Sequence, residues 1–192
     1  MNEFFLANNR SVVIGNTTIH QLKMHNIDEW APHASIIKSF LKTHSDEIYK
    51  SLLKAHTVEV MTLLGKSTLK TENELILMAE ASESTFLSLI EAVIKVNDAY
   101  FAEKESGRKR SRKVKELDQP SWFETFQYLI EAGHHHEDIM QMSYGSFIGY
   151  LKAAQKQRSQ NLLTSTNLMR AAQHAKDKAY AKLTDDLRAV DD

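Results

Sequence analysis

The chain has 192 residues, 42% apolar and 26% charged, the composition of a globular protein with one core or two small ones. Lys and Arg number 24 against 25 Asp and Glu, and this net charge of −1 excludes a nucleic-acid binder that relies on overall charge, though not one with a local basic patch. The absence of cysteine excludes disulfide frameworks, thiolate catalysis, Cys-based zinc sites and iron–sulfur clusters.

Six Gly and two Pro predict a mostly helical chain, with the first stretch as the exception. Phe4 to Ala7 and Ser11 to Gly15 are β-prone and separated by Asn8-Asn9-Arg10, a turn sequence, while Asn16 to Met24 adds Thr17, Thr18 and Ile19. A two- or three-stranded hairpin or meander is expected. So small a sheet must lean on the helices that follow. The amino end has no basic flank before a hydrophobic stretch, so no signal peptide is expected.

From Asn26 the apolar period changes from two to about 3.6. Asn26 and Glu29 stand at capping-box spacing, Pro32 offers a competing start, and the first helix should carry Ile36, Ile37, Phe40 and Leu41 inward. Ser45, Asp46 and Glu47 open a second helix through Ile48, Leu52, Leu53, Val60, Met61 and Leu64, which Gly65 should stop. Glu72 to Glu80 predicts a short helix around Leu75 to Ala79, the longest aliphatic run and far short of the roughly 20 residues that cross a bilayer. Ser82 or Ser84 caps the next helix. Its stripe of Phe86, Leu89, Ile90, Val93, Val96, Asn97 and Tyr100 is the clearest helical signal in the chain.

Residues 103–119 break the pattern, with seven basic and four acidic residues and almost no large apolar ones. This stretch reads as a charged linker of +3 between parts of −3 (1–102) and −1 (120–192). A flexible tether of that length spans about 23 Å, so independent movement of the two parts is expected. Beyond it, Pro120 and Ser121 open a helix with Trp122, Phe123, Phe126, Leu129 and Ile130 on an apolar face, ended by Gly133. Ile139, Met140 and Met142 follow on a short helix, and Ser143 caps a longer one with Phe147, Ile148, Tyr150 and Leu151. The remainder is helix-prone but thin. Leu162, Leu163, Leu168, Met169, Tyr180, Leu183 and Leu187 are its large apolar residues, so it is a frayed tail or a helix that waits for a partner. The expected fold is mainly α: a helical bundle with a small N-terminal β-hairpin or meander, in two helical parts joined by the linker.

No Gly-rich phosphate loop, G-x-S-x-G elbow or H-E-x-x-H pair occurs, so neither an enzyme nor a cofactor is expected. His134, His135 and His136 form the tempting cluster, but consecutive residues on an extended loop point to different sides, and zinc wants three or four convergent ligands. The basic run of Arg108, Lys109, Arg110, Arg112, Lys113 and Lys115 reads first as a solvated spacer. Its alternative is contact with nucleic acid or an acidic partner, though it lacks the interleaved aromatics of single-strand binding. Trp30, Trp122, Phe123 and Tyr144 are candidate anchors for a partner, although aromatics at helical spacing are more often core, the reading favoured for Trp122 and Phe126. The seven Met suit adaptable surfaces or core filling.

The order of these segments resembles the tail assembly chaperones of long-tailed bacteriophages. The first part is similar to the family's short form: a small β start, the segment IHQLKMHNIDEW, helices through Phe40, and the closing helix LSLIEAVIKVNDAYF with Val96, Asn97 and Phe101. The second part, PSWFETFQYLIEAGHHHEDIMQMSYGSFIGYL, resembles the extension these phages add by ribosomal frameshifting, with its opening tryptophan, Leu-x-x-x-Gly turn and Met-Ser helix start. The resemblance covers about residues 10–155, and the charged spacer falls where the frame would change.

The resemblance implies a non-enzymatic scaffold that binds the tape measure protein, a long helical chain with an apolar stripe, and recruits tail tube subunits through the extension. No catalytic or ligand residues carry over. The partner-binding residues expected are Trp122, Phe126, Tyr144 and Phe147 in the second part, and exposed members of the 86–101 helix, namely Phe86, Val93 and Tyr100. Tape measure and tail tube proteins are the expected partners, self-association stays open, and neither membrane nor nucleic acid is expected. The place of action is the host cytoplasm, and the mature virion should lack the chain. The alternatives are a small helical nucleic-acid-associated regulator that uses residues 108–115, and a structural component of the virion.

Overall fold

Gly15 and Asn16 turn the chain between β1 (Val12–Ile14) and β2 (Thr17–Ile19), which pair antiparallel as Val12 with Ile19, Val13 with Thr18 and Ile14 with Thr17. Gly15 has φ 57°, the left-handed value that a two-residue hairpin needs and that glycine adopts without steric cost. The computed structural model describes residues 11–43, 47–102, 121–174 and 180–182. The expected strand Phe4 to Ala7 and the expected linker 103–119 lie outside them. On β2, Thr17 and Ile19 face the core, and the chain leaves the strand with the His20 N–H donated to the Ser67 carbonyl at 2.7 Å.

A 3₁₀ turn (Met24–Asn26) leads into α1 (Ile27–Thr43). The expected capping box does not form, because Asn26 Oδ1 is buried without a hydrogen-bond partner. Asp28 and Glu29 instead favour the positive end of the helix dipole. Pro32 sits inside α1 rather than at its start. Trp30, Ala34 and Ile37 make the buried stripe, at spacings of four and three. Ile36, expected inward, is 41% exposed, since one position along a helix is a 100° turn away from Ile37.

The expected helix from Ile48 to Leu64 is two helices, α2 (Ile48–Ala55) and α3 (Thr57–Thr68), separated at His56, whose φ of −136° and ψ of 49° leave the helical region. The His56 ring packs edge-on to Phe40 at 5.3 Å, which fixes the kink against α1. Nor does Gly65 end α3. Leu63, Leu64, Ser67 and Thr68 on either side of it are buried, and this packing outweighs the roughly 1 kcal/mol helix penalty of one glycine. The helix ends at Leu69, held at φ 57° with its N–H on the Gly65 carbonyl.

Helix α4 (Glu72–Ala81) starts from a capping box in which Thr71 Oγ1 accepts from the Glu74 N–H and Glu74 Oε2 accepts from the Thr71 N–H. Ser82 caps α5 (Glu83–Val96), the central element. It carries Phe86, Leu89, Ile90, Ala92, Val93 and Val96 into the core and packs against α2, α3, α4 and both strands. The short α6 (Asp98–Phe101) follows. Trp30, Phe86, Leu52, Leu64, Leu75 and Leu89 are each fully buried, at about 1.5–3 kcal/mol of hydrophobic stabilisation per large side chain.

Three more helices follow: α7 (Trp122–Glu131), α8 (His136–Gln141) and α9 (Tyr144–His174). The chain divides into two compact units, the first ending at Leu151 and the second spanning Lys152–Asp192. This differs from the expected partition at 103–119. Residues 121–151 belong with the first part because Met24 donates its N–H to the Met142 carbonyl and Tyr144 donates to that of Leu22, both at 2.9 Å, around a bridge between Lys23 and Ser143. A linker-like composition describes the linker alone; it does not decide whether the flanks touch. The fold is mainly α with a small N-terminal hairpin, as its composition implied. Among the described residues no helix is long and apolar enough to cross a membrane.

Candidate functional site

Helix α7 is built from a strong local start. Ser121 Oγ accepts from the Glu124 N–H at 3.2 Å, and Glu124 Oε2 accepts from the Ser121 N–H at 2.7 Å, the two halves of a capping box. Its far end is a Schellman turn: the Gly133 N–H reaches the Ile130 carbonyl and the His134 N–H reaches that of Leu129, with Gly133 at φ 97°. Between these stops the helix has one anchored side. Leu129 is fully buried, and Phe126 is half-buried with its ring centroid 5.6 Å from Phe147 and 6.1 Å from His136.

The outer side of α7 is apolar as well. Phe123 is 77% exposed, Trp122 is 51% exposed, and Ile130 is exposed one i,i+7 step from Phe123. Trp122 leans inward far enough to bring its ring within 6.0 Å of Phe147. On a helical wheel these residues and Phe126 form one band about 100° wide, with Glu124 and Glu131 beyond its edge. The unit Lys152–Asp192 has a second apolar surface. Its helical stretch exposes Leu162, Leu163 and Met169 by 62%, 62% and 68%.

The residues expected to bind a partner divide by burial. Phe86 and Val93 are core residues of α5, and Phe147 is fully buried beneath α7, so a partner that docks on the folded surface does not touch these three. A helical stripe at spacings of three and four is the core face of its helix, and that packing took them inward. Tyr100 and Tyr144 are half-buried and face each other: with Trp30 they form a triad of edge-on rings at 5.1, 5.2 and 5.9 Å. The Trp30 Nε1–H donates to the Lys23 carbonyl at 2.8 Å and the Tyr100 hydroxyl to that of Ala31 at 3.2 Å. Burial raises the phenol pKa of both tyrosines above the ordinary 10.0. Trp122 and Phe126 lie at the surface band, half in contact and half open. The most exposed member, Phe123, is a candidate anchor from sequence but is not among the partner-binding residues expected there; its i,i+7 relation to Ile130 is the signal that marks it.

The histidine run separates. The His134 ring packs on Tyr150 at 4.9 Å, His136 packs on Phe126, and His135 precedes α8. Among the described residues no group of three or more His, Asp or Glu is placed to hold a metal ion. An open cleft of about 370 Å³ lies between the starts of α2 and α5, bridged by the Lys50–Glu83 ion pair at 3.0 Å. The basic residues Arg108, Lys109, Arg110, Arg112, Lys113 and Lys115 lie outside the described residues. No family model, characterised protein or solved structure matches the chain.

Proposed function

We propose that the chain is a phage tail assembly chaperone, which binds the tape measure protein, keeps it soluble and recruits tail tube subunits. The observation that carries this reading is the band on α7 where Trp122, Phe123 and Ile130 stay exposed beside Leu129 and Phe126, which anchor the helix to the core. A row of apolar side chains on a rigid helix receives the apolar stripe of another helix, and contacts of this size are reversible. The sequence resemblance supplies the identity of the client. In this reading the chain acts in the host cytoplasm and leaves before the particle is complete.

Co-expression with a tape measure protein tests the reading. The client is expected in the soluble fraction with the chain present and in the pellet without it. Equal solubility with and without the chain overturns the proposal. Mass spectrometry of purified particles separates a chaperone from a virion component, since a chaperone is absent from them.

A further inference from the structure

Two surfaces of this chain are complementary in charge, apolar content and spacing. Residues 121–141 carry four carboxylates, Glu124, Glu131, Glu137 and Asp138, and no Lys or Arg. Residues 152–174 carry four cations, Lys152, Lys156, Arg158 and Arg170, and no Asp or Glu. The first segment exposes Phe123 and Ile130 and the second exposes Leu162 and Met169. Each pair is seven residues apart on a helix, about 10.5 Å along the axis, so the two rows match in length. Trp122 widens one row and Leu163 the other.

We propose that the chain forms a reciprocal dimer in which the helical segment 152–174 of each copy lies along the outer band of α7 of the other. The pairing buries Phe123 and Ile130 against Leu162 and Met169, and it sets the cationic segment beside the acidic one. Two like segments in contact, 152–174 on 152–174 or 121–141 on 121–141, would bring eight like charges together, four from each copy, and are disfavoured. A helix whose large apolar groups are all exposed gains stability from a partner rather than from its own propensity. Two-fold symmetry makes the contact twice and closes the assembly, so it does not grow into fibres. This inference stands apart from the chaperone reading, although a contact of this kind would shield the α7 band until a client displaces it.

Sedimentation equilibrium of the full chain tests it, at about 0.1 M and about 1 M salt, where the screening length falls from about 10 Å to about 3 Å. A dimer is expected whose dissociation constant rises about tenfold or more across that range. Two double variants, Phe123→Ser with Ile130→Ser and Leu162→Ser with Met169→Ser, should each be monomeric, and at a concentration where the parent is monomeric too they should melt close to it, because the side chains are exposed in the single chain. Mixed together, they should form a heterodimer, since one intact contact remains between them. Lys156→Glu with Arg170→Glu should weaken the dimer as high salt does. A monomeric parent chain overturns the proposal, as does a dimer indifferent to both double variants or a mixture that stays monomeric.

Discussion

Tyr144 donates its backbone N–H to the carbonyl of Leu22, 2.9 Å away, across 122 positions of sequence, and its ring stands edge-on to Trp30 and Tyr100. This is where the segment 121–151 is fastened to the segment that follows the hairpin. Replacing Tyr144 by Ala keeps the backbone bond but removes both ring contacts. The expected loss is about 3–5 kcal/mol if the site does not collapse, the range for deleting a buried aromatic, reduced by the half-exposure of this ring. Urea unfolding measures it. Tyr144→Phe keeps the ring geometry and should stay within about 0.5 kcal/mol of the parent. In the Ala variant, amide exchange at Met24 and at position 144 should quicken more than at Leu89, in the centre of α5.

Leu22 is held from a second direction. Its N–H donates to Asn97 Oδ1 at 2.8 Å, and Asn97 Nδ2 donates to the Val93 carbonyl at 2.9 Å, with the whole group buried. Asn97→Ala leaves a buried backbone N–H without its acceptor. The expected cost is about 1–3 kcal/mol. Denaturant melts check the size, and Asn97→Ser, with a shorter acceptor, should recover less than half.

These two fastenings show what the sequence could and could not reveal. The helical period of Phe86 to Val96, the Ser82 cap and the Gly133 turn are legible, because they depend on residues within a few positions of one another, whereas the stripe expected to run on to Tyr100 breaks at Asn97, between two helices. The break at His56 is not legible. Its ring packs on Phe40, 16 positions away, and no local rule records that contact. Gly65 misled for the same reason, since packing on both of its sides outweighed its propensity. Phe86, Val93 and Phe147 could be placed on apolar faces, but an apolar face alone does not say whether core or partner covers it. The charged stretch 103–119 suggested separable parts because composition carries no information on the bonds at Met24, Leu22, Met142 and Tyr144.

The tyrosine pair sets an alkaline limit on the fold. Burial raises the pKa of both phenols, and for Tyr144 a charge on Tyr100 raises it further; a hydrogen bond with Ser35 opposes the shift at Tyr100. The neutral form is therefore favoured in the folded state. The associated stability is complete below the unfolded value of 10.0 and is lost as pH rises through that value toward the raised folded one. Spectrophotometric titration should show three of the six tyrosines ionising late, the third being Tyr49, whose pKa burial and the neighbouring Glu91 carboxylate also raise. The melting temperature should fall more steeply above pH 10 in the parent than in the Tyr100→Phe, Tyr144→Phe double variant. Equal slopes would remove the pair from the cause.

Phe147 and Phe123 separate folding from binding. Phe147 is fully buried, with the rings of Trp122 and Phe126 against it, so Phe147→Ala creates a cavity and should cost about 3–5 kcal/mol. Phe123 is largely in water already, and Phe123→Ala should change stability by no more than about 0.5 kcal/mol. Their effects on a client should run the other way at a temperature where both variants are folded. Phe147→Ala leaves the outer band of α7 in place and should still solubilise the tape measure protein, whereas Phe123→Ala removes the most exposed ring of that band and should weaken solubilisation about tenfold or more, the range of a binding hot spot. Thermal melts and the soluble fraction of co-expressed client read the two properties separately. If Phe123→Ala left solubilisation intact, the band on α7 would not be where the client is held, and Leu162, Leu163 and Met169 would be the next surface to test.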